Sequence, residues 1–282
     1  MEATARFELA FVLGGGGVLG AHEVGMLRAL AERSIVADVV LGTSVGAVNG
    51  AFFAADQSPS GVERLTELWR ETARAGRSPG GTLRRVTTLA RSGTHLESFA
   101  ELRDRLSEAL PVERVEDLST PFQCVAASIE RAAEHWFDRG PLAEVLLASC
   151  AVPGILPPVR IGDEHFIDGG IVNSIPVSRA VALGARTIYV LQVGRLEQAL
   201  RPPRWPWEVG LVAFEVARRH RFAGDLASLP EEVRLHVLPT GGSAAPAYND
   251  IAGQLRVRRS VSDVERQTDS AYEASIRYLD AV

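Results

Sequence analysis

Ser44 stands in Gly42-Thr43-Ser44-Val45-Gly46, a G-x-S-x-G pattern. The residues before it, Val36–Leu41, form a short apolar run that reads as a buried strand, and Val45–Ala55 reads as an apolar helix. A serine on such a tight strand-to-helix turn projects its hydroxyl from the sheet, and the flanking glycines permit the crowding. The helix N-terminus adds positive partial charge where an alkoxide or oxyanion would form. That is the setting of a nucleophile. The plainer reading is that Ser44 only caps the helix.

A second turn is richer in glycine: Gly14-Gly15-Gly16-Gly17-Val18-Leu19-Gly20, after the apolar run Phe7–Leu13. Gly15-x-Gly17-x-x-Gly20 has the form of a dinucleotide fingerprint, which also needs an acid near the end of the next strand. Asp38 precedes the body of that strand, whose end is Gly42-Thr43-Ser44. NAD and FAD are therefore disfavoured. Bare amides at Gly15, Gly16 and Gly17 beside a serine turn suit an oxyanion hole better.

A nucleophilic serine needs a base. The six histidines are His22, His95, His135, His165, His220 and His236. The Ser…Asp…His order of α/β hydrolases would select His220 or His236, but that fold usually places several strands before its serine turn. The other candidate is Asp168, at the end of a short strand and before Gly169 and Gly170. A carboxylate bonded directly to the serine hydroxyl can serve if the oxyanion hole carries most of the stabilisation. Asp-Gly-Gly alone is more often a plain turn.

Composition narrows the chemistry further. All 30 basic residues among the 282 are arginine, so Schiff-base lysine, P-loop lysine and kinase lysine chemistry are excluded. A net charge of −5 offers no basic field for nucleic acid. Cys124 and Cys150 match no metal or redox spacing and read as small apolar residues in a reducing compartment. Met1–Leu9 lacks the order of a signal peptide, and Val39–Ala55 is too short and glycine-rich to span a membrane. The expected location is cytoplasmic.

Strands and helices alternate around these turns, which predicts an α/β fold with a mainly parallel central sheet flanked by helices. Helices are expected at Ala21–Arg33, Val45–Ala55, Gly61–Ala73 and Leu142–Ser149, with helical sequence continuing from the loop Ala75–Gly81 to Leu110. Pro121–Ser128, Glu134–Phe137, Pro158–Ile161, His165–Ile167, Thr187–Val193 and Val233–Leu238 read as strands. Further helices are expected at Val177–Leu183, after Arg201–Pro206, and at Ser262–Tyr278. One domain over 1–282 is expected, with its motifs within about 7–195 and a helical and strand extension over 196–282.

Together and in this order, the motifs resemble the patatin-like phospholipase family. The resemblance is carried by Gly14–Leu27 (GGGGVLGAHEVGML), Gly42–Asn49 (GTSVGAVN), Ala148–Pro158 (ASCAVPGILPP) and Phe166–Pro176 (FIDGGIVNSIP). It implies a three-layer α/β/α fold and a Ser–Asp dyad, with Ser44 the nucleophile, Asp168 the general base and the amides of Gly15–Gly17 the oxyanion hole. Gly20, Gly42, Gly46, Gly169 and Gly170 would support these turns. It implies an acyl-serine intermediate on lipid esters, with neither metal nor cofactor. Leu19 departs from the pattern, since family members usually carry Arg or Lys there; His22 is a partial substitute on hand.

The expected function is a lipase or phospholipase A-type acyl hydrolase. The alternatives are a carboxylesterase or thioesterase on small soluble substrates, and a non-catalytic lipid-binding homologue. The substrate is the one partner the sequence implies. The segment Trp205–Arg221 reads either as an interfacial helix in transient contact with a membrane surface or as a core-packing helix with a solvated arginine end.

Overall fold

In the computed structural model, residues 7–75, 100–193, 199–203, 206–242 and 260–282 are described. His95, Trp205, the 76–81 part of the expected loop and the helical sequence up to residue 99 lie outside them.

Among the described residues eight strands form one mixed sheet: β1 (Leu9–Leu13), β2 (Val39–Thr43), β3 (Phe122–Ser128), β4 (Ala133–Phe137), β5 (Val159–Ile161), β6 (Glu164–Asp168), β7 (Thr187–Leu191) and β8 (Arg234–Val237). Strands β3, β2, β1, β7 and β8 lie side by side and parallel, while β4, β5 and β6 pair antiparallel. The expected α/β architecture is present, with an antiparallel margin at one end.

The described helices are α1 (Ala21–Glu32), α2 (Val45–Ala55), α3 (Pro59–Ala75), α4 (Ala100–Ala109), α5 (Leu142–Ser149), α6 (Gly170–Asn173), α7 (Val177–Ala182), α8 (Pro206–Ala227) and α9 (Val261–Leu279). The central strands are apolar on both faces because both are covered. Phe11 and Leu13 of β1 pack with α1, α2, α3 and α5, whereas Ala10 and Val12 pack with Val177 and Ala180 of α7 and Phe222 of α8. Successive side chains of a strand point to opposite faces, so one short strand serves both cores.

The pairing of β3 decides where the site forms. Strand β4 runs along residues 124–128 on one edge of β3. Strand β2, opposite 122–125, and strand β6, opposite 126–128, must therefore share the other edge. They meet end to end: Thr43 pairs with Val125 and Asp168 with Ala126. The residue after β2 and the last residue of β6 are thus delivered to one spot, at the carboxyl ends of the parallel strands. Ligand sites of open α/β sheets lie at these ends.

Candidate active site

Ser44 occupies the one-residue corner between β2 and α2. Its backbone is at φ 56°, ψ −126°, a conformation that costs a residue with a Cβ about 1–3 kcal/mol. The glycines beside it are sites of close approach. A Cβ on Gly46 would lie 2.4 Å from the carbonyl oxygen of Leu13, and one on Gly42 would lie 2.5 Å from Cα of Ala47. The corner exists because these two positions have no side chain.

The hydroxyl of Ser44 does not cap α2. It donates to Oδ2 of Asp168 at 2.6 Å. Asp168 is buried, and its other oxygen, Oδ1, accepts the amide of Gly170 at 2.7 Å. Burial pushes the Asp168 carboxyl up to about 6, against the opposing pull of the Ser44 and Gly170 hydrogen bonds. A carboxylate in this condition holds a proton more readily than an exposed one, the property a base for a hydroxyl needs.

Of the histidines singled out by the α/β-hydrolase order, His236 stacks on Tyr189 at 4.7 Å and contacts the Tyr278 hydroxyl, while His220 is exposed on α8. His135 and His165 lie on the outlying strands β4 and β6. His22 is buried, with Nδ1 at 2.9 Å from the carbonyl oxygen of Leu19. It holds the loop by its backbone; Leu19 itself is half-buried.

The glycine loop lies against Ser44. A Cβ on Gly15 would sit 3.5 Å from that of Ser44. The amide of Gly15 donates to the carbonyl of Ser174 at 2.9 Å, which engages it within the fold. This narrows the expected trio of amide donors to Gly16 and Gly17, neither of which donates to a backbone carbonyl among the described residues. Gly17 adopts φ 52° at the exposed crest of the loop. Gly20 abuts Val45 and Trp69, and a Cβ on Gly169 would fall 2.1 Å from the carbonyl oxygen of Val125.

Three contributors were not legible in the sequence. Ser149, fully buried at the end of α5, accepts the amide of Ser44 at 2.9 Å and donates to the carbonyl of Val125 at 2.7 Å. The same segment accepts the amides of Asp168, at Ala151, and Gly169, at Ser149. One turn therefore straps the serine corner and the Asp168 turn together.

The second is Glu23, fully buried beneath the glycine loop. Its carboxyl is raised well above the usual range by burial, partly offset by Asn49, Arg218 and the Gly14 amide. Asn49 donates to Glu23 and to the carbonyl of Gly20, and its own carbonyl accepts Trp69 Nε1. A serine among small residues and a glutamate in a helix carry no local mark of such roles.

The third is Cys150. Cys124 is the buried apolar residue expected; Cys150 is half-buried as a residue, with its thiol turned inward near Ser44 and Asp168. Burial, and then the charge of Asp168, push that thiol well up from its ordinary value.

Comparisons with known proteins place the chain in a family. Residues 11–181 match the family described as patatin-like phospholipase. The chain is similar to patatin-like phospholipase domain-containing protein 7 of Rattus norvegicus, at 31% identity over 192 residues, covering 67% of this chain and 14% of that protein. It is 29% identical over 189 residues to lysophospholipase NTE1 of Mycosarcoma maydis, covering 67% of this chain and 10% of that protein. The chain thus spans a small part of these relatives' own length. Among solved structures, VipD from Legionella pneumophila is similar over 98% of this chain and 67% of its own, at a TM-score of 0.48 and 14% identity.

Proposed function

The chain belongs to the patatin-like phospholipase family, and we propose that it is an acyl ester hydrolase in which Ser44 and Asp168 form the catalytic dyad. The observation that carries this reading is the 2.6 Å hydrogen bond from the Ser44 hydroxyl to a buried carboxylate.

In this reading Ser44 Oγ attacks the ester carbonyl carbon while its proton passes to Asp168 Oδ2. The carbonyl oxygen becomes an oxyanion held by the amides of Gly16 and Gly17 and by the N-terminal end of α2. Collapse breaks the bond to the leaving alcohol, whose oxygen takes the proton from Asp168. Water then gives a proton to Asp168 and its oxygen to the acyl carbon, and the carboxylic acid departs as Ser44 recovers the proton. Each half-reaction uses the same proton acceptor, so no third side chain is required.

The substrate class in this proposal is lipid acyl esters. Family membership and the lysophospholipase name of the fungal relative support it, and mono-acyl phospholipids are the first substrates to test. A fluorophosphonate probe should label Ser44 in the wild type and leave Ser44→Ala unlabelled. Asp168→Asn should slow labelling about 10²–10⁴-fold, the usual worth of a positioned base. Labelling elsewhere, or equal turnover by Ser44→Ala, overturns the dyad. Activity confined to short water-soluble esters in a chain-length panel overturns the lipid substrate alone.

A further inference from the structure

The amides of Gly16 and Gly17 can serve an oxyanion only if the loop holds them at a fixed place relative to Ser44. The loop's first end is fixed by Leu191 and Ser174, whose carbonyls accept the amides of Gly14 and Gly15, both at 2.9 Å. Its last end is fixed elsewhere. The Gly20 carbonyl accepts Nδ2 of Asn49 at 3.0 Å. A Cβ on Gly20 would fall 2.5 Å from Cγ2 of Val45, so the loop end also seats against the first residue of α2. From Gly14 to Ala21 the loop carries no charged side chain of its own.

Asn49 is fully buried on α2, the helix that Ser44 begins. It lies about 7 Å along the helix from Ser44, at about 1.5 Å per residue. The indole Nε1 of Trp69 can only donate, and it donates to Oδ1 of Asn49 at 2.9 Å. That fixes the oxygen end of the amide. Nδ2 is thereby turned to two acceptors, the Gly20 carbonyl and Oε2 of Glu23, the latter at 2.7 Å. An amide engaged at both ends cannot rotate without leaving buried groups unmet.

Glu23 is fully buried as well. Its Oε1 has no hydrogen-bond partner among the described residues, and the nearby Gly14 amide is already given to Leu191. Burial holds the carboxyl well above its usual range, which favours the neutral acid. A leucine would fill this space without an unmatched oxygen, so packing does not account for the carboxyl. Its engaged oxygen is aimed at Asn49. Arg218 of α8 adds its charge to this cluster. That residue is 2% exposed, with Nη1 3.1 Å from Oε2 of Glu215, so the solvated arginine end expected of its segment fails there.

We propose that Asn49 is the positioning residue of the oxyanion loop and that Glu23 aims its amide at the Gly20 carbonyl. Asn49 acts through Gly20 rather than on the reacting atoms. It fastens the end of the loop to the helix that starts at Ser44, so that donors and nucleophile keep one frame. Oxyanion donors must stand about 3 Å from the developing charge, and a misplacement of about 1 Å costs about 10²-fold. The inference rests on the Ser44–Asp168 hydrolase reading and deepens it.

The test exchanges the end groups of the two side chains. Asn49→Asp keeps its shape and the acceptor for Trp69 but loses the donor to Gly20. Adding Glu23→Gln restores a hydrogen bond between positions 23 and 49, now donated from 23, and leaves the Gly20 carbonyl without its donor. Hydrolysis of p-nitrophenyl butyrate is measured for each protein, with active sites counted at the end point of fluorophosphonate labelling. Asn49→Asp should lower the melting temperature and reduce kcat about ten- to a hundredfold. KM should stay within about twofold, because the loss falls on the transition state. The double exchange should recover most of the melting temperature while kcat stays low. Glu23→Gln alone keeps an oxygen toward Asn49 and should lose no more than about threefold in kcat, the scale of one modest hydrogen-bond change.

Recovery of kcat together with the melting temperature in the double exchange overturns the proposal, since Asn49 would then serve stability alone. So does a wild-type kcat in Asn49→Asp, or a loss confined to KM. If Asn49→Asp by itself does not fold, the double exchange, which lacks only the bond to Gly20, decides alone. A wild type that the probe leaves unlabelled overturns the hydrolase reading and this inference with it. A labelled wild type with any of the outcomes just named overturns this inference alone.

Discussion

The hydroxyl of Ser149 links the amide of Ser44 to the carbonyl of Val125, at 2.9 and 2.7 Å, and so ties the strained serine corner to strand β3. Strain at Ser44 persists only if its surroundings over-determine it. Ser149 is one of the groups that does so. Ser149→Ala leaves a buried donor and acceptor unmet, which costs about 1–3 kcal/mol. We expect a lower denaturant midpoint together with probe labelling of Ser44 slowed more than tenfold; normal labelling by a destabilised variant would confine Ser149 to stability.

Asp168 predicts opposite responses of activity and stability to pH. As a base it must be ionised, so kcat/KM should fall about tenfold per unit below a limb near pH 6, where its carboxyl titrates. Its ordinary value is 3.8. Between the two values the native state holds a proton that the unfolded chain has released, so this group's contribution to stability is lost as pH rises through that window. Asp168→Asn removes the loss. At pH 8 it should be more stable than wild type by up to about 3 kcal/mol while nearly inactive. A limb at the same pH in a variant still lacking Asp168 would assign it to another group.

The positive φ of Ser44 separates two inactive variants. Ser44→Ala keeps a Cβ and the strain, whereas Ser44→Gly adopts φ 56° freely. Glycine should therefore be the more stable of the pair by about 1 kcal/mol, even though it gives up more entropy on folding elsewhere. Urea titrations of the two proteins decide it, and a more stable alanine variant would mean that the corner relaxes without Ser44.

Leu19 predicts a selective gain. Its amide donates to Gly16 and its carbonyl receives His22, so its backbone already serves the loop and only the side chain lacks charge. Leu19→Arg should raise kcat/KM on an anionic phospholipid more than on a neutral glyceride, by about three- to tenfold, the worth of roughly 1 kcal/mol of added attraction. Equal effects on both substrates would make the cation a structural addition.

Cys150 should be inert despite lying near Ser44. Burial and the Asp168 charge both raise its thiol, so little thiolate forms at neutral pH. Iodoacetamide at pH 7.5 should leave it unmodified by mass spectrometry over an hour; fast alkylation would contradict this account.

The parts legible from the sequence are those governed by neighbours in the chain. Gly42 marks a crowded corner because its crowding comes from residues close by in the chain, Gly46 and Ala47, whereas Gly46 is crowded by Leu13 of the neighbouring strand β1. An apolar run, a glycine turn and an apolar helix are local signals, so β2, Ser44 and α2 fall almost where the pattern puts them. Val45–Ala55 matches the helix residue for residue. The glycine loop is recognisable for the same reason.

What only tertiary structure decided is which groups those turns meet. Asp168 is 124 residues from Ser44, and by itself Asp-Gly-Gly is an ordinary turn. It becomes the partner of Ser44 because β2 and β6 abut along one edge of β3, a pairing that no periodicity encodes. Likewise the Gly15 amide turns to Ser174, and Ser149 reaches under the corner. Arg218 of α8 enters the interior beside Glu215. Local pattern reports backbone geometry and burial preference, whereas hydrogen-bond partners and the sign of a pKa shift depend on which surfaces close over a group. The serine corner was therefore visible in the chain, and its hydrogen bond to Asp168 only in the sheet.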